Sequence, residues 1–475
     1  MPKRRNFEFG EAVTGMLVDG VEDTPYVAAS LHLDPESGAR IEVPYIDIPG
    51  TSQFEATTEW FHSRRPPKNL LLTSLDGDVS LFDCHYAGHT VNYPRNIGVG
   101  KLRPTYVVLH RRDEDLNTPL QVREVKSQID GLIEWTGFTS IKRRNESNDA
   151  RLIKKVIYEV ANSNHVTWRQ NSATMTLKSD WLINPNTYSI TLNDGVSLTS
   201  SYDEPQSIDV HLTEHRKVAA LLSFIFGCAI YFRSHELRDP AFTNKTLSGR
   251  VIEQPFFQFL SRNTVREHGR PKPRPGSLRH PLASLERLNQ NGLEEWSYRY
   301  DDWSRFIHPA VSALNRPGAI LENLVVNAAM SMEAAGNLIG EVAEESPTLR
   351  SNGKPTTATY MYRCLIRTGW DWSEIGASPV GLARAIANNY NTIKHFDRGH
   401  FPDPVETHLV SSLTALVVRM LALRIAQPSL NAANLFGAHV HDFDRLKESF
   451  ESAGVAVDEG GAFTPSRQAN MPPSS

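Results

Sequence analysis

Near the C-terminus, Asn388, Asn389, Tyr390, Asn391, Lys394 and His395 place amides, a phenol, an amine and an imidazole within three turns of one predicted helix. An imidazole titrating near neutral pH can give or take a proton, and the amine brings a positive charge beside it. At about 100° per residue, Arg384, Asn388, Asn391 and His395 fall on one face of that helix. Asn is a poor helix former, so three of them in four positions work against local propensity. A local rule broken inside a well-patterned helix points to a site, or to a polar network between packed helices.

The elements that must position these residues change character near residue 280. Before it, short runs rich in Val, Ile, Thr, Tyr and Leu alternate with Gly, Asp, Asn and Pro turns, the pattern of antiparallel sheet. The first set of predicted strands is Ala12 to Val18, Tyr26 to Leu33, Arg40 to Ile46, Leu70 to Thr73, Val79 to Cys84 and Thr105 to Leu109. The second set is Val166 to Arg169, Ala173 to Leu177, Tyr188 to Leu192 and Val196 to Ser200. Apolar spacing predicts helices over Leu120 to Trp135 and Thr213 to Ile230. The β-rich region, 7–260, reads either as one sandwich split by a helix or as two modules of about 7–115 and 150–260.

Residues 261–280 read as an extended or mobile linker. They carry Pro271, Pro273 and Pro275, and six Arg or Lys against Glu267 alone, too little apolar area to pack. From 281 to 427 the pattern is helical, with predicted helices Leu293 to Phe306, Ala319 to Ile339, Thr356 to Thr368, Val380 to Phe396 and Pro404 to Ala426. Short connections between amphipathic helices imply antiparallel neighbours in a bundle. Beyond Pro428 the chain reads as frayed, with a disordered tail at 455–475. The fold class is α+β.

Composition excludes several roles. The 475 residues are 40% hydrophobic and 22% charged, as in ordinary globular proteins. A net charge of -4 argues against binding nucleic acid through the overall field, though not against a local basic patch. Three dispersed cysteines, Cys84, Cys228 and Cys364, fit a reducing compartment. The basic N-terminus lacks an apolar core behind it, and the apolar stretches Val218 to Ile230 and Leu409 to Ile425 read as too short or too interrupted to span a bilayer. The expectation is a cytoplasmic protein with no membrane partner.

Cys84-His85 with His89 looks like half a metal site without a second half, and His439-x-His441-Asp442 reads as surface. Trp296, Tyr298, Tyr300 and Trp303 offer stacking faces, yet their spacing also suits a packing seam. No phosphate-binding Gly-rich loop, nucleophile elbow or dinucleotide fingerprint is present, so no metal or cofactor is expected.

The β-rich half, the segment Ile129-Asp130-Gly131-Leu132-Ile133-Glu134-Trp135, and a helical bundle with Asn391-x-x-x-His395 resemble the ApeA family across about residues 7 to 427. Those proteins are prokaryotic abortive-infection factors carrying a HEPN (higher eukaryotes and prokaryotes nucleotide-binding) domain. The HEPN ribonuclease motif is an Arg, usually a polar residue next, then a His after four to six intervening residues. By that resemblance His395 matches the catalytic His and Asn391 the polar residue. Tyr390, Asn389 and Asn388 stand at the Arg position for the three spacings, so the motif Arg is absent.

The resemblance implies metal-independent cleavage of RNA. A base removes the 2′-OH proton, that oxygen attacks the adjacent phosphorus, and an acid protonates the leaving oxygen. A cation must stabilise the phosphate charge. Lys394 and Arg398 are near in sequence, whereas Arg384 lies eleven residues away, about 16 Å along a helix. Glu333 resembles the partner-helix carboxylate that would orient His395. HEPN domains commonly pair, so a homodimer is expected, with RNA as substrate and a phage-derived trigger acting on the N-terminal half. The alternative is a non-catalytic regulator whose sheets bind a protein or glycan.

Overall fold

The computed structural model describes residues 9–466 except 22–25, 47–54, 114, 148–152, 162–163, 186–188, 247, 317, 376–377, 396–399, 401 and 438–439. Eight strands come first: β1 (Ala12–Val18), β2 (Val27–Asp34), β3 (Gly38–Ile46), β4 (Leu70–Ser74), β5 (Gly77–Phe82), β6 (His85–Asn92), β7 (Ile97–Arg103) and β8 (Tyr106–Val108). Helix α1 (Glu55–His62) lies between β3 and β4. Strand β9 (Gln121–Ile129) and the short helix α2 (Leu132–Thr136) lead to a hairpin, β10 (Ile141–Ser147) and β11 (Ile153–Val160). Then come β12 (His165–Gln170), β13 (Ala173–Pro185), β14 (Ile190–Ser207) and helix α3 (Ile208–Phe226). The β-rich half closes with β15 (Phe232–Arg238), β16 (Asn244–Lys245), β17 (Val251–Glu253), β18 (Phe257–Ser261) and α4 (Val265–His268). The helical half holds α5 (Leu285–Tyr300), α6 (Ser304–Leu314), α7 (Leu321–Ile339), α8 (Thr357–Thr368), α9 (Pro379–Lys394), α10 (Pro404–Ala426), α11 (Ala432–Phe436) and α12 (His441–Ala453), then the hairpin β19 (Val455–Val457) and β20 (Phe463–Pro465).

The α+β class holds, with a large antiparallel sheet before a helical region. Fourteen strands join in the order β12-β13-β14-β9-β15-β18-β8-β5-β4-β1-β2-β3-β7-β6. The two sets of strands meet where β18 pairs β15 on one side and β8 on the other, Leu260 lying opposite Val107. The stretch Leu120 to Trp135 is therefore corrected from helix to strand. Val122, Val125, Ser127 and Ile129 are buried in β9, which is paired on both edges by β14 and β15. Its apolar spacing fits both periods, and tertiary pairing decides. Gly131 (φ 77) then turns the chain into α2, whose Trp135 donates its indole N–H to the Ala283 carbonyl at 3.2 Å.

Helix α3 joins the two halves. It packs against β9 and β14 on one side and against α6 and α10 on the other, and its apolar side chains belong to the core that continues through the bundle. On the sheet side, six hydrogen bonds run unbroken through buried groups. They link the Val122 carbonyl to His211 (3.0 Å), His211 to Ser200 (2.8 Å), Ser200 to His215 (2.9 Å), His215 to Ser127 (2.7 Å), Ser127 to His235 (2.7 Å) and His235 to Thr264 (2.9 Å). A carbonyl can only accept, so His211 Nε2 carries its proton and His211 Nδ1 accepts from Ser200. Following that direction link by link, His215 donates from Nε2, His235 donates from Nδ1, and Thr264 donates to His235 Nε2. Neutral rings thus satisfy every link. On the bundle side, Arg419 of α10 donates to the last carbonyls of α3, Phe224 at 2.8 Å and Ile225 at 2.9 Å, and pairs with Asp442 at 2.7 Å. A guanidinium here satisfies orphan carbonyls and complements the helix dipole.

Residues 261–280 are also corrected: they are pinned, not extended or mobile. Val265 and Leu278 are buried in the two neighbouring cores, and Arg233 donates to the carbonyls of Arg270 (2.5 Å) and Pro271 (3.3 Å) while pairing with Asp130. Beyond Pro428 the chain is not frayed. Phe443, Leu446 and Phe450 of α12 enter the core, and β19 and β20 pair within the stretch read as disordered; residues 467–475 lie outside the described residues. The Leu409 to Ile425 stretch lies within α10, which is long and apolar enough by length and composition to cross a membrane, against the sequence expectation. The most apolar window of α10 is 83% buried inside the protein.

Burial lowers the His211 pKa to about 4 and the His215 pKa to about 3, and holds His235 well below the ordinary value. The unfolded chain takes up these protons near pH 6.5 and the folded chain does not. Stability is therefore full above pH 6.5 and falls as pH drops toward the folded-state values. Each of these rings is expected to remove about 2 kcal/mol between pH 7.5 and pH 5. Urea midpoints measured across that range check this, and a flat profile would contradict neutral rings. Arg419→Ala is expected to cost about 3 kcal/mol in the same assay, since it orphans two buried carbonyls and a carboxylate.

Candidate functional site

Helix α9 is built to lie inside the bundle. Ser378 caps its start, accepting from the Gly381 N–H at 3.0 Å, and Pro379 follows at the first helical position. Leu382, Ala383, Ile386 and Tyr390 form its buried stripe. The helix ends at His395, which leaves helical geometry (φ -109, ψ 93) while its N–H still bonds the Asn391 carbonyl at 3.0 Å.

The structure gathers three helices around the Tyr390 phenol. Tyr390 is 1% exposed, and its hydroxyl donates to Glu333 Oε2 of α7 at 3.2 Å. Lys394, one turn on, donates to the same phenolic oxygen at 3.3 Å and sits 5.2 Å from the ring centroid. The second oxygen of Glu333 accepts from Thr357 of α8 at 3.0 Å. Burial, then the Glu333 charge, push the Tyr390 phenol above its usual range, with Lys394 opposing. Tyr390 is thus a neutral hydrogen-bonding group at neutral pH, and the cluster is a carboxylate, a phenol and an ammonium in line.

The remaining predicted site residues are divided. His395 and Asn391 are half-buried at the helix end, and the His395 ring has no hydrogen-bond or ionic partner among the described residues. Asn388 is exposed on the same side. Asn389 points inward instead, donating to Thr407 of α10 at 3.2 Å, with its carbonyl oxygen buried and unpartnered. Arg384 is held by the carbonyls of Glu459 (2.6 Å) and Pro347 (2.5 Å), away from the end of the helix. Arg398 lies outside the described residues. Glu333, expected to orient His395, holds Tyr390.

Thr357 went unrecognised in the sequence because a threonine in the first turn of a helix reads as capping. The buried histidines were also missed. His211 and His215, four apart at the start of a helix whose later turns are apolar, were the available signal, but the predicted helix began at Thr213, beyond the first of them. Buried Arg363, paired to Glu345 through two contacts of 2.7 Å, gave no signal in spacing.

The weaker motifs resolve structurally. Trp296 and Tyr300 are buried against Phe224 and each other, while Tyr298 is 78% exposed and outside that seam. Cys84 is buried, His89 bonds the Tyr86 hydroxyl at 2.7 Å, and no cluster able to hold a metal occurs among the described residues. His439 lies outside the described residues, and the His441 ring packs 4.5 Å from that of His280.

A single antiparallel sheet welded through α3 to a helical bundle, with a polar cluster at the end of one bundle helix, defines a two-part α+β protein. The model of the ApeA N-terminal domain 1 matches residues 20–296, more than half of the chain. The chain belongs to the ApeA family. That match supports the anti-phage, abortive-infection role which the sequence resemblance implies. No curated protein and no solved structure matches the chain.

Tyr390→Phe should cost about 1–2 kcal/mol in urea denaturation, because it leaves Glu333 and Lys394 facing an apolar edge. A neutral effect would show that the three groups are not coupled.

Proposed function

We propose that this is an abortive-infection protein whose helical half is a HEPN-type, metal-independent endoribonuclease restrained by the sheet half until a phage-derived trigger engages it. One observation supports this most: the His395 imidazole is left without a described partner, one residue from an exposed lysine. His395 acts as base toward the 2′-OH or as acid toward the leaving 5′-oxygen. Lys394, tethered over Tyr390, supplies one positive charge to a phosphate oxygen, and Asn391 donates a hydrogen bond. Tyr390, Glu333 and Thr357 position Lys394 without touching RNA. Asn388 and Asn389 flank the site without supplying charge. A second copy brings a second Lys394 and Arg398, so the working unit is a homodimer with two such helix ends facing one cleft.

The capture of Arg384 by two backbone carbonyls favours a second reading, because it removes the one arginine of α9 from phosphate contact. In that reading the helical half dimerises or binds a nucleotide without cutting, and the sheet half binds a protein or glycan.

Incubating the purified protein with RNA, chelator and phage-infected cell extract separates the two. The nuclease reading expects cleavage that persists in chelator and drops by about 100-fold or more in His395→Ala. It also expects toxicity on overexpression that is lost in that variant. Equal toxicity of both forms, or RNA left intact in the presence of trigger, would overturn it.

A further inference from the structure

Away from α9, the sheet half contains a cleft of about 700 Å³ where three segments converge: the β2–β3 turn, the β7–β8 connection and the junction of β18 with α4. Arg103, Arg262 and Arg266 all line it. We propose that this cleft is a binding site for a small polyphosphate anion, such as the phosphates of a nucleoside triphosphate, independent of the chemistry at His395.

Several other arginines of the sheet half are already paired. In the same half, Arg233 pairs with Asp130, Arg238 with Glu124 and Arg216 with Glu267, and Arg112 donates to the carbonyls of Thr118 and Pro119. Arg103 and Arg262 have no side-chain hydrogen bond or ion pair among the described residues. Arg266 uses its Nε to hold the Glu36 carbonyl at 2.6 Å, which leaves the outer edge of its fork free. Three like charges around one concavity repel one another, and an anion between them removes that cost. Planar guanidinium forks suit phosphate oxygens, which accept two parallel hydrogen bonds.

The cleft is also held in shape before any ligand arrives. The Arg262 N–H donates to the Thr105 carbonyl at 2.9 Å, continuing the β8–β18 pairing. Thr264, between the two arginines of this segment, is fully buried and bonded to His235 at the end of the histidine–serine chain. Val265 enters the core beneath, so the backbone carrying Arg262 and Arg266 is fixed and little ordering is lost on binding. The neighbouring Thr105 and Asn263 are committed to Asp83 (2.8 Å) and Asp209 (3.3 Å), leaving recognition to charge.

A compact ligand fits better than a nucleic-acid strand. The volume lies in the range of small-molecule sites, and three arginines outnumber the one lining acidic residue, Glu36. No aromatic side chain lines the cleft, so the phosphates carry the recognition and the base does not.

Calorimetric titration of the full chain at about 150 mM salt with tripolyphosphate, ATP, GTP and inorganic phosphate tests the site. Saturable binding of the three polyphosphates is expected, with inorganic phosphate weaker. Arg103→Gln with Arg262→Gln should weaken polyphosphate binding by about 100-fold, while Arg95→Gln, an exposed arginine outside the cleft, should change nothing. Both arginines are surface-exposed, so a thermal melt matching wild type shows that the double variant folds. Absence of saturable binding, or equal affinity in the double variant, would overturn the proposal. Tighter binding of a single-stranded RNA oligonucleotide that needs the same two arginines would overturn it too, by making the cleft a strand-binding surface. RNA cleavage by wild type is read in a separate assay, so either result leaves the other standing.

Discussion

Helix α3 is buried over most of its length, with only a narrow strip at its start (Asp209, Val210, Thr213 and Arg216) exposed, and much of the architecture follows from that. One side lies on the sheet and the other on α6 and α10, so the polar groups buried on those sides need protein partners. The histidine–serine chain meets that demand on the sheet side, and Arg419 meets it at the C-terminal end. Dry surroundings make each of these hydrogen bonds stronger and each missing one costlier. The seam between the two halves is therefore specific as well as apolar.

The two halves are joined by packed elements. A flexible linker would let a sheet-borne sensor and a helical effector act as separate bodies, coupled only by proximity. Here α3, the pinned segment after β18 and the Trp135 contact to Ala283 give a continuous packed path. The family match itself crosses that path, running from the first strands into α5. The matched region thus includes α3, the helix that touches the bundle.

At the end of α9 the arrangement is economical. Burying Tyr390 would strand its hydroxyl, and Glu333 and Lys394 resolve that by sharing it. The result ties the lysine to Tyr390, one residue from the half-buried His395, and leaves Arg384 to tie the β19–β20 turn to the bundle. Asn389, which on sequence belonged to the same polar group, faces Thr407 because the hundred-degree step between neighbours puts it on the buried side.

Much of this was legible in the chain. Strands such as Ala12–Val18 and helices such as Thr357–Thr368 follow from their period, since burial of one face leaves its trace in spacing. The polar cluster on α9 was legible too, through asparagines where a helix does not favour them. Other features were not. Gln121–Ile129 satisfies two periods at once, and only its neighbours β14 and β15 select the strand. The basic segment 261–280 looks unpackable by composition, yet two apolar anchors and a handful of carbonyls hold it. Sequence by itself determined many of the strands and helices and that the end of α9 is chemically unusual, because local period and residue type are read along the chain. Tertiary structure decided that the two strand sets join in one fourteen-stranded sheet, which arginines pair and which carboxylate meets which hydroxyl. Those are contacts between residues far apart in sequence, and spacing along a chain carries no record of them.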